Sequence, residues 1–155
     1  HPSESDIRET LLNSVRSCES LAKDRKVKIE LEANEALRVP HDGTQVERVF
    51  SNLLKNAIEA FDADENTQSL RTVRLTTRSI ADSVEIDIED SGPGVALSPR
   101  ELFKLSKTTK PNGYGLGLMI SKRIIEAHKG SIESGRSDDL KGAKFTVRIP
   151  FEAQP

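Results

Sequence analysis

At 155 residues, with 35% hydrophobic and 31% charged side chains, the chain has the size and composition of one globular domain. A formal charge of -2, from 23 basic against 25 acidic residues, leaves no chain-wide footprint for nucleic acid or anionic lipid. No apolar run approaches the roughly 20 residues that cross a bilayer, so direct membrane insertion is excluded and a small-molecule or protein partner is favoured.

Cys18 is the single cysteine, which rules out an internal disulfide framework and fits a reducing, cytoplasmic compartment. The histidines, His1, His41 and His128, share no zinc-ligand spacing. The chain opens at His1 without a signal region and reads as a piece of a longer protein, possessing one domain over 1–155.

Asp6 is placed to cap a first helix, whose face recurs as Ile7, Leu11, Val15, Cys18 and Ala22. Val27, Ile29 and Leu31 then alternate with Lys28, Glu30 and Glu32 as a strand with one wet face. The run Val39 to Thr44 reads as a turn ending in a helix cap. From Val46 the series Val49, Phe50, Leu53, Leu54, Ala57, Ile58 and Phe61 keeps helical spacing for about four turns, so this helix must lie on a core. Two alternating runs, Val73 to Thr77 and Val84 to Ile88, predict a hairpin that stops at Asp90-Ser91-Gly92. Residues 91–113 hold three prolines and three glycines with little periodicity, which predicts a mobile functional loop. Leu116, Met119, Ile120, Ile124 and Ala127 predict a last helix ended by Gly130, and Ile132 with Ala143 to Ile149 two closing strands. The predicted order is helix, strand, helix, two strands, loop, helix, two strands. Hairpins with interspersed helices predict a two-layer α+β sandwich, with a mixed, mostly antiparallel sheet and about three helices on one face.

Three clusters fall outside this core logic. On a wheel of about 100° per residue, Asn52 and Asn56 lie about 40° apart on one flank of the apolar stripe, and Glu59 continues it. Two such flanking residues are usually a solvated helix edge, yet Asn competes for backbone hydrogen bonds in mid-helix and asks for a reason. Asp90-Ser91-Gly92-Pro93-Gly94 would present Asp90 at the sheet edge, which taken alone is an ordinary turn. Gly113-Tyr114-Gly115-Leu116-Gly117 puts three alternating glycines before a helix. Unobstructed N–H groups there, with the helix dipole, suit phosphate, although an isolated glycine cluster also reads as a hinge. Its spacing matches neither the dinucleotide fingerprint nor the P-loop.

Taken in order, Asn52 to Ala60 resembles the N box, Asp90 to Gly94 the G1 box and Gly113 to Leu118 the G2 box of the catalytic ATP-binding domain of sensor histidine kinases. These domains share the Bergerat ATP-binding fold with type II topoisomerases, ninety-kilodalton heat-shock chaperones and mismatch-repair ATPases. The resemblance spans essentially the whole chain, including Leu102-Phe103 and Thr108-Thr109-Lys110 in a lid over about 95–112, and the closing Phe145 to Pro150. It implies ATP and Mg2+ as ligands, with Asp90 accepting from the adenine amino group and Gly92 and Gly94 opening the backbone to the base. It further implies Asn56 as the magnesium ligand, Asn52 on the phosphates or a magnesium-bound water, and Gly113, Gly115 and Gly117, through Leu118, as the phosphate cradle. Lys110 and Lys107 are the implied lid cations, beside Thr108 and Thr109. The implied partners are ATP or ADP, a dimerisation and histidine-phosphoacceptor domain of the same parent, and a downstream response regulator; the parent can be membrane-anchored.

Several positions depart from the family pattern. Phe103 is followed by Lys104, Leu105 and Ser106 where relatives often carry Pro-Phe, Ala143 stands where Thr or Ser often assists adenine binding, and Glu59 replaces a frequent Lys. No histidine sits in a phosphoacceptor motif; His41 falls in the expected turn and His128 at a helix end, both structural or surface residues. An ATP-hydrolysing machine would need a Glu general base at Asn52. A serine/threonine-directed anti-sigma-factor kinase and a non-catalytic nucleotide-binding module are the remaining alternatives.

Overall fold

The apolar stripe from Val46 to Phe61 organises the molecule. In the computed structural model, which describes residues 3–33, 35–63, 70–94 and 116–151, it belongs to helix α2 (Gly43–Glu59), which runs into a 3-10 turn at Ala60–Ala63. Before it come β1 (Ser3–Asp6), α1 (Ile7–Asp24), β2 (Lys28–Glu32) and β3 (Arg38–His41). After it come β4 (Thr72–Ile80), β5 (Ser83–Asp90), α3 (Leu116–Ala127), β6 (Ser131–Arg136) and β7 (Ala143–Pro150). Helix α2 packs between α1 and α3 and lies on β4 and β5. Val46, Phe50, Leu54 and Ile58 are fully buried along it, each contributing on the order of 1.5–3 kcal/mol of apolar burial.

Five strands form one sheet in the order β2-β4-β5-β7-β6. Every neighbouring pair is antiparallel except β2 with β4, which is parallel. The two-layer α+β sandwich with a mixed sheet is therefore the observed architecture. Alternation along β5 sends Val84, Ile86 and Ile88 to the helices and Glu85, Asp87 and Glu89 to the open face. Glu85 and Asp87 are nonetheless buried, because ion-paired long side chains lie over them. Arg78 pairs with both, Arg148 Nε reaches Glu85 at 2.5 Å, Lys144 reaches Asp87 at 3.7 Å, and Thr146 Oγ1 donates to Asp87 at 2.8 Å. Burial pulls the Glu85 carboxyl upward, yet hydrogen bonds from Arg148 and Arg78 hold it below the ordinary carboxylate range.

The structure departs from the sequence reading in three places. The run expected to be a turn contains β3, which pairs antiparallel with β1 from Ser3 opposite His41 to Asp6 opposite Arg38. A short strand whose partner lies more than 30 residues earlier leaves no local signal, and Pro40 is tolerated because β3 has a single neighbouring strand. The buried stripe of α3 is Leu118, Ser121 and Ile125; Met119, Ile120 and Ile124 are half-buried and Ala127 is exposed. A small polar residue in the buried stripe misleads a count of apolar spacings. The Ser121 hydroxyl is, among the described residues, the one side-chain polar atom shut off from solvent with no hydrogen-bond partner, an arrangement that costs about 1–3 kcal/mol. Finally, the left-handed residue ending α3 is Lys129, with φ of 63°. Gly130 serves close approach instead, since a Cβ there would lie 2.1 Å from the Arg148 carbonyl oxygen.

Asp6 and Asp42 cap α1 and α2 as N-terminal acceptors, from Arg8 N at 3.0 Å and Gln45 N at 3.1 Å. Asp6 Oδ1 also accepts from Leu37 N at 3.1 Å. His41 is not a turn residue but a fully buried strand residue. Its Nδ1 faces the Val39 carbonyl at 2.7 Å and its Nε2 faces Thr10 Oγ1 at 2.7 Å, which assigns the proton to Nδ1. His128 Nδ1 lies 2.8 Å from the Ile124 carbonyl, and its Nε2 accepts from Asp42 N at 3.0 Å. The helix-end histidine thus ties α3 to the start of α2.

Burial pushes the His41 imidazole below its ordinary range, against the opposing pull of its bond to Val39. The unfolded chain takes up this proton first, near pH 6.5, so the stability His41 contributes is complete above that value and is lost as pH falls through its folded-state value. Urea unfolding is expected to show stability declining below about pH 6.5, with a slope from this group of at most about 1.4 kcal/mol per pH unit. An NMR titration of the His41 ring that returned an unshifted or raised value would contradict it.

Candidate functional site

Strand β5 is the middle strand of the sheet, and its last residue, Asp90, is 3% exposed. The sequence reading placed Asp90 where an apolar strand stops, and it is the last residue of β5; that this strand is the central one is set by the sheet order. Burial raises the carboxyl above its ordinary range, while hydrogen bonds from the Gly92 and Ala143 amides pull it down. Both bonds end on one oxygen: Oδ1 accepts from Gly92 N at 2.9 Å and from Ala143 N at 3.2 Å. Oδ2 makes no hydrogen bond with any described residue, so the side chain is fixed by one oxygen and offers the other as an acceptor.

The turn beyond Asp90 is pinned from both sides. On the β4 side, Ser91 N donates to the Thr72 carbonyl at 3.0 Å. Ser91 Oγ accepts from Thr72 N and donates to the Leu70 carbonyl, both at 2.9 Å. On the β7 side, Gly142 N donates to the Asp90 carbonyl at 3.0 Å. A Cβ on Gly142 would stand 2.3 Å from both the Asp90 carbonyl oxygen and Oδ1, and 2.8 Å from Gly92 N. Only glycine fits there.

Helix α2 brings the second group of residues to this turn. Phe61, immediately beyond its end, is 1% exposed, and its ring borders Gly92, where a Cβ would lie 3.6 Å from Cε1. The Arg71 guanidinium stands 5.6 Å from the centroid of that ring. It also donates to the Arg25 carbonyl at 2.9 Å and to the Phe61 carbonyl at 3.5 Å, which holds the 3-10 turn against the end of α1. One turn and a half earlier on the same helix, Asn56 is 6% exposed while Asn52 and Glu59 are half-buried. Neither Asn52 nor Asn56 makes a side-chain hydrogen bond with any described residue.

The structure therefore brings Asp90, Gly92 and the far end of α2 together, with Gly94 at φ of 85° closing the turn. Gly117 is half-buried with nothing within 4 Å of a would-be Cβ. Leu118 is entirely buried in the core, so only its backbone can face a ligand. Lys107, Thr108, Thr109, Lys110, Gly113, Gly115 and the expected lid over 95–112 lie outside the described residues. The sequence reading missed Gly142, Phe61 as a wall, Arg71 and the Thr72–Ser91 pair. A lone glycine before a strand signals only a turn, and the Phe61 spacing signals only a core.

A profile described as histidine kinase-, DNA gyrase B- and HSP90-like ATPase matches residues 41–153, a span that runs from the end of β3 through β7 and includes every site residue above. The chain belongs to this family. Among family members, the sensor histidine kinase ZraS of Salmonella typhi is 34% identical over 151 residues, which are 96% of this chain and 31% of ZraS. The chain thus spans about a third of the length of this relative. The catalytic domain of the histidine kinase ThkA superposes with a TM-score of 0.83 at 30% identity, covering 97% of this chain and 96% of that domain. The structure of ThkA in complex with the response regulator TrrA superposes at 0.75 with 27% identity, over 98% of this chain and 42% of the kinase. Its homologues are sensor histidine kinases, and the fold and family of this chain are those of their ATPase domain.

Replacing Gly142 by Ala is expected to unseat the Asp90 carboxylate. Unfolding free energy should fall by about 1–3 kcal/mol, with large shifts of the Gly92 and Ala143 amide resonances. Gly135→Ala, where nothing lies within 4 Å of the added carbon, serves as the control and should perturb neither resonance.

Proposed function

We propose that residues 1–155 form the catalytic ATP-binding domain of a sensor histidine kinase, which binds ATP with Mg2+ and donates the γ-phosphate to a histidine on a dimerisation and phosphoacceptor domain of the same parent protein. A response regulator then receives the phosphate, a reading supported by the ThkA–TrrA complex. The observation that carries the proposal is Asp90, a buried carboxylate fixed through Oδ1 and open at Oδ2. An acceptor set at the bottom of a site bordered by Phe61 and a glycine turn is what an exocyclic amino group on a flat base requires.

The polar groups of α2 fit the other end of the nucleotide. The Asn56 amide is buried, and no described residue takes its hydrogen bonds, which suits a neutral oxygen ligand for an ion whose charge is met mainly by phosphates. Magnesium, when bound, neutralises phosphate charge, and Asn56 is the residue that would hold it. Asn52, one turn earlier, is assigned to the phosphates. Gly113, Gly115, Gly117 and the Leu118 N–H are assigned to the phosphate cradle, with Thr108, Thr109, Lys110 and Lys107 in the lid. Phosphoryl transfer is chiefly positioning plus charge stabilisation, so these groups suffice without a general base. Asn52 cannot take a proton from water, which keeps bound ATP from being hydrolysed. The neutral imidazole of an acceptor histidine is already nucleophilic and needs little such help.

Titration calorimetry should show ATP and ADP binding by the wild-type chain and a tenfold to hundredfold loss in Asp90→Asn, since a donor then faces the adenine amino group at a cost of about 1–3 kcal/mol. Equal affinity in the two forms would remove Asp90 from base recognition. The cognate dimerisation and phosphoacceptor domain added in trans should become labelled with acid-labile, base-stable phosphate. Asn56→Ala should abolish both that transfer and the magnesium dependence of ATP affinity while magnesium-free nucleotide still binds. Label on Ser or Thr, rapid ATP hydrolysis by the isolated chain, or full transfer by Asn56→Ala would each overturn the assignment.

A further inference from the structure

Ser137 lies outside every motif read from the sequence, yet it is fully buried in the loop between β6 and β7. It takes part in four hydrogen bonds. Its N–H donates to the Gly142 carbonyl at 2.8 Å and its carbonyl accepts from Lys141 N at 2.9 Å. Its Oγ donates to Glu89 Oε1 and accepts from Leu140 N, both at 2.9 Å. The loop is thereby folded onto the end of β5, with Lys141 in the left-handed region at φ of 74°. A second tie comes from Arg74 of β4, which pairs with Asp139 in the same loop.

This loop delivers both β7-side amides to Asp90, Gly142 N to its carbonyl and Ala143 N to Oδ1. The anchoring carboxylate, Glu89, is the residue next to Asp90 and points to the opposite face of the sheet. We propose that Ser137 and Glu89 are a positioning pair for Asp90: the hydroxyl–carboxylate bond on the open face of the sheet sets the loop that aims the Gly142 and Ala143 amides at Asp90 on the helix face. Ser137 touches no nucleotide in this arrangement; it acts through Gly142 and Ala143. Severing the Oγ bonds lets the loop relax, the Ala143 amide withdraws from Oδ1, and the free carboxylate oxygen loses its fixed direction. The consequence for nucleotide affinity rests on the ATP-binding reading; the consequence for Asp90 does not.

The test uses Ser137→Ala, Glu89→Ala, their double variant and Glu89→Gln, each followed by two measurements. The first is the NMR titration of the Asp90 carboxyl carbon, with the Ala143 amide shift, in protein without nucleotide. The second is ADP affinity by calorimetry. Both alanine variants should move the Ala143 amide and raise the Asp90 titration midpoint, and weaken ADP about tenfold. The double variant should lose no more than Ser137→Ala alone, because that change already removes the bond to Glu89. Glu89→Gln, which keeps an oxygen acceptor, should recover most of the loss seen in Glu89→Ala. An unmoved Asp90 titration and Ala143 amide in Ser137→Ala, fully additive losses in the double variant, or no rescue by Gln would each overturn the pairing. If Asp90 responds as expected but the wild-type chain binds no ADP, the positioning pair stands and the nucleotide assignment falls.

Discussion

A carboxylate removed from water and held by backbone amides is the constraint on which the site depends. Asp90 bears the desolvation cost of its position at the end of the central strand, and two N–H donors on Oδ1 offset part of it. Those donors come from the turn that follows β5 and from the start of β7. Their convergence requires β7 to lie beside β5, which in turn requires the last strand to insert between β5 and β6. The sheet order is therefore part of the site. Gly142 is the steric corollary, since any side chain there would occupy the space of the Asp90 oxygens.

Helix α2 carries two loads at once. Its apolar stripe lies on β4 and β5 between α1 and α3, and its flank supplies Asn52 and Asn56. Tight packing of that stripe fixes the helix in rotation, so the two amides keep a set direction with no side-chain hydrogen bond to any described residue. The same rigidity continues through Phe61, which Arg71, just before β4, clamps to the end of α1 and which walls the Asp90 turn. The ion-paired lattice over Glu85 and Asp87 plays a different part. It seals the open face with neutralised charge and leaves the strands free to devote their other face to the core and the site.

Much of this was legible beforehand because it is periodic. The 3.6-residue stripe of α2, the period-two runs of β4, β5 and β7, and the two glycines that follow Asp90 each carry a local signal that tertiary context did not need to supply. Strands β1 and β3 carried none, being short and paired across more than 30 residues. The stripe of α3 was displaced because Ser121, a polar residue, takes a buried position that apolar counting cannot find. His41 offered the same difficulty: its burial follows from Thr10 and the Val39 carbonyl, and neither neighbour is visible from its sequence context.

The sequence by itself determined the two-layer class and its long periodic elements, and marked Asp90 and the two asparagines of α2 as candidates, because side-chain periodicity and backbone permissiveness are local properties. Only the tertiary structure decided that Asp90 stands in the middle of the sheet, that Oδ1 is occupied and Oδ2 offered, and that Gly142, Ser137 and Glu89 stand behind it. Those facts depend on a hydrogen-bond ladder between strands more than 50 residues apart, and a ladder of that kind is set by which chains lie side by side in space, which no local pattern encodes.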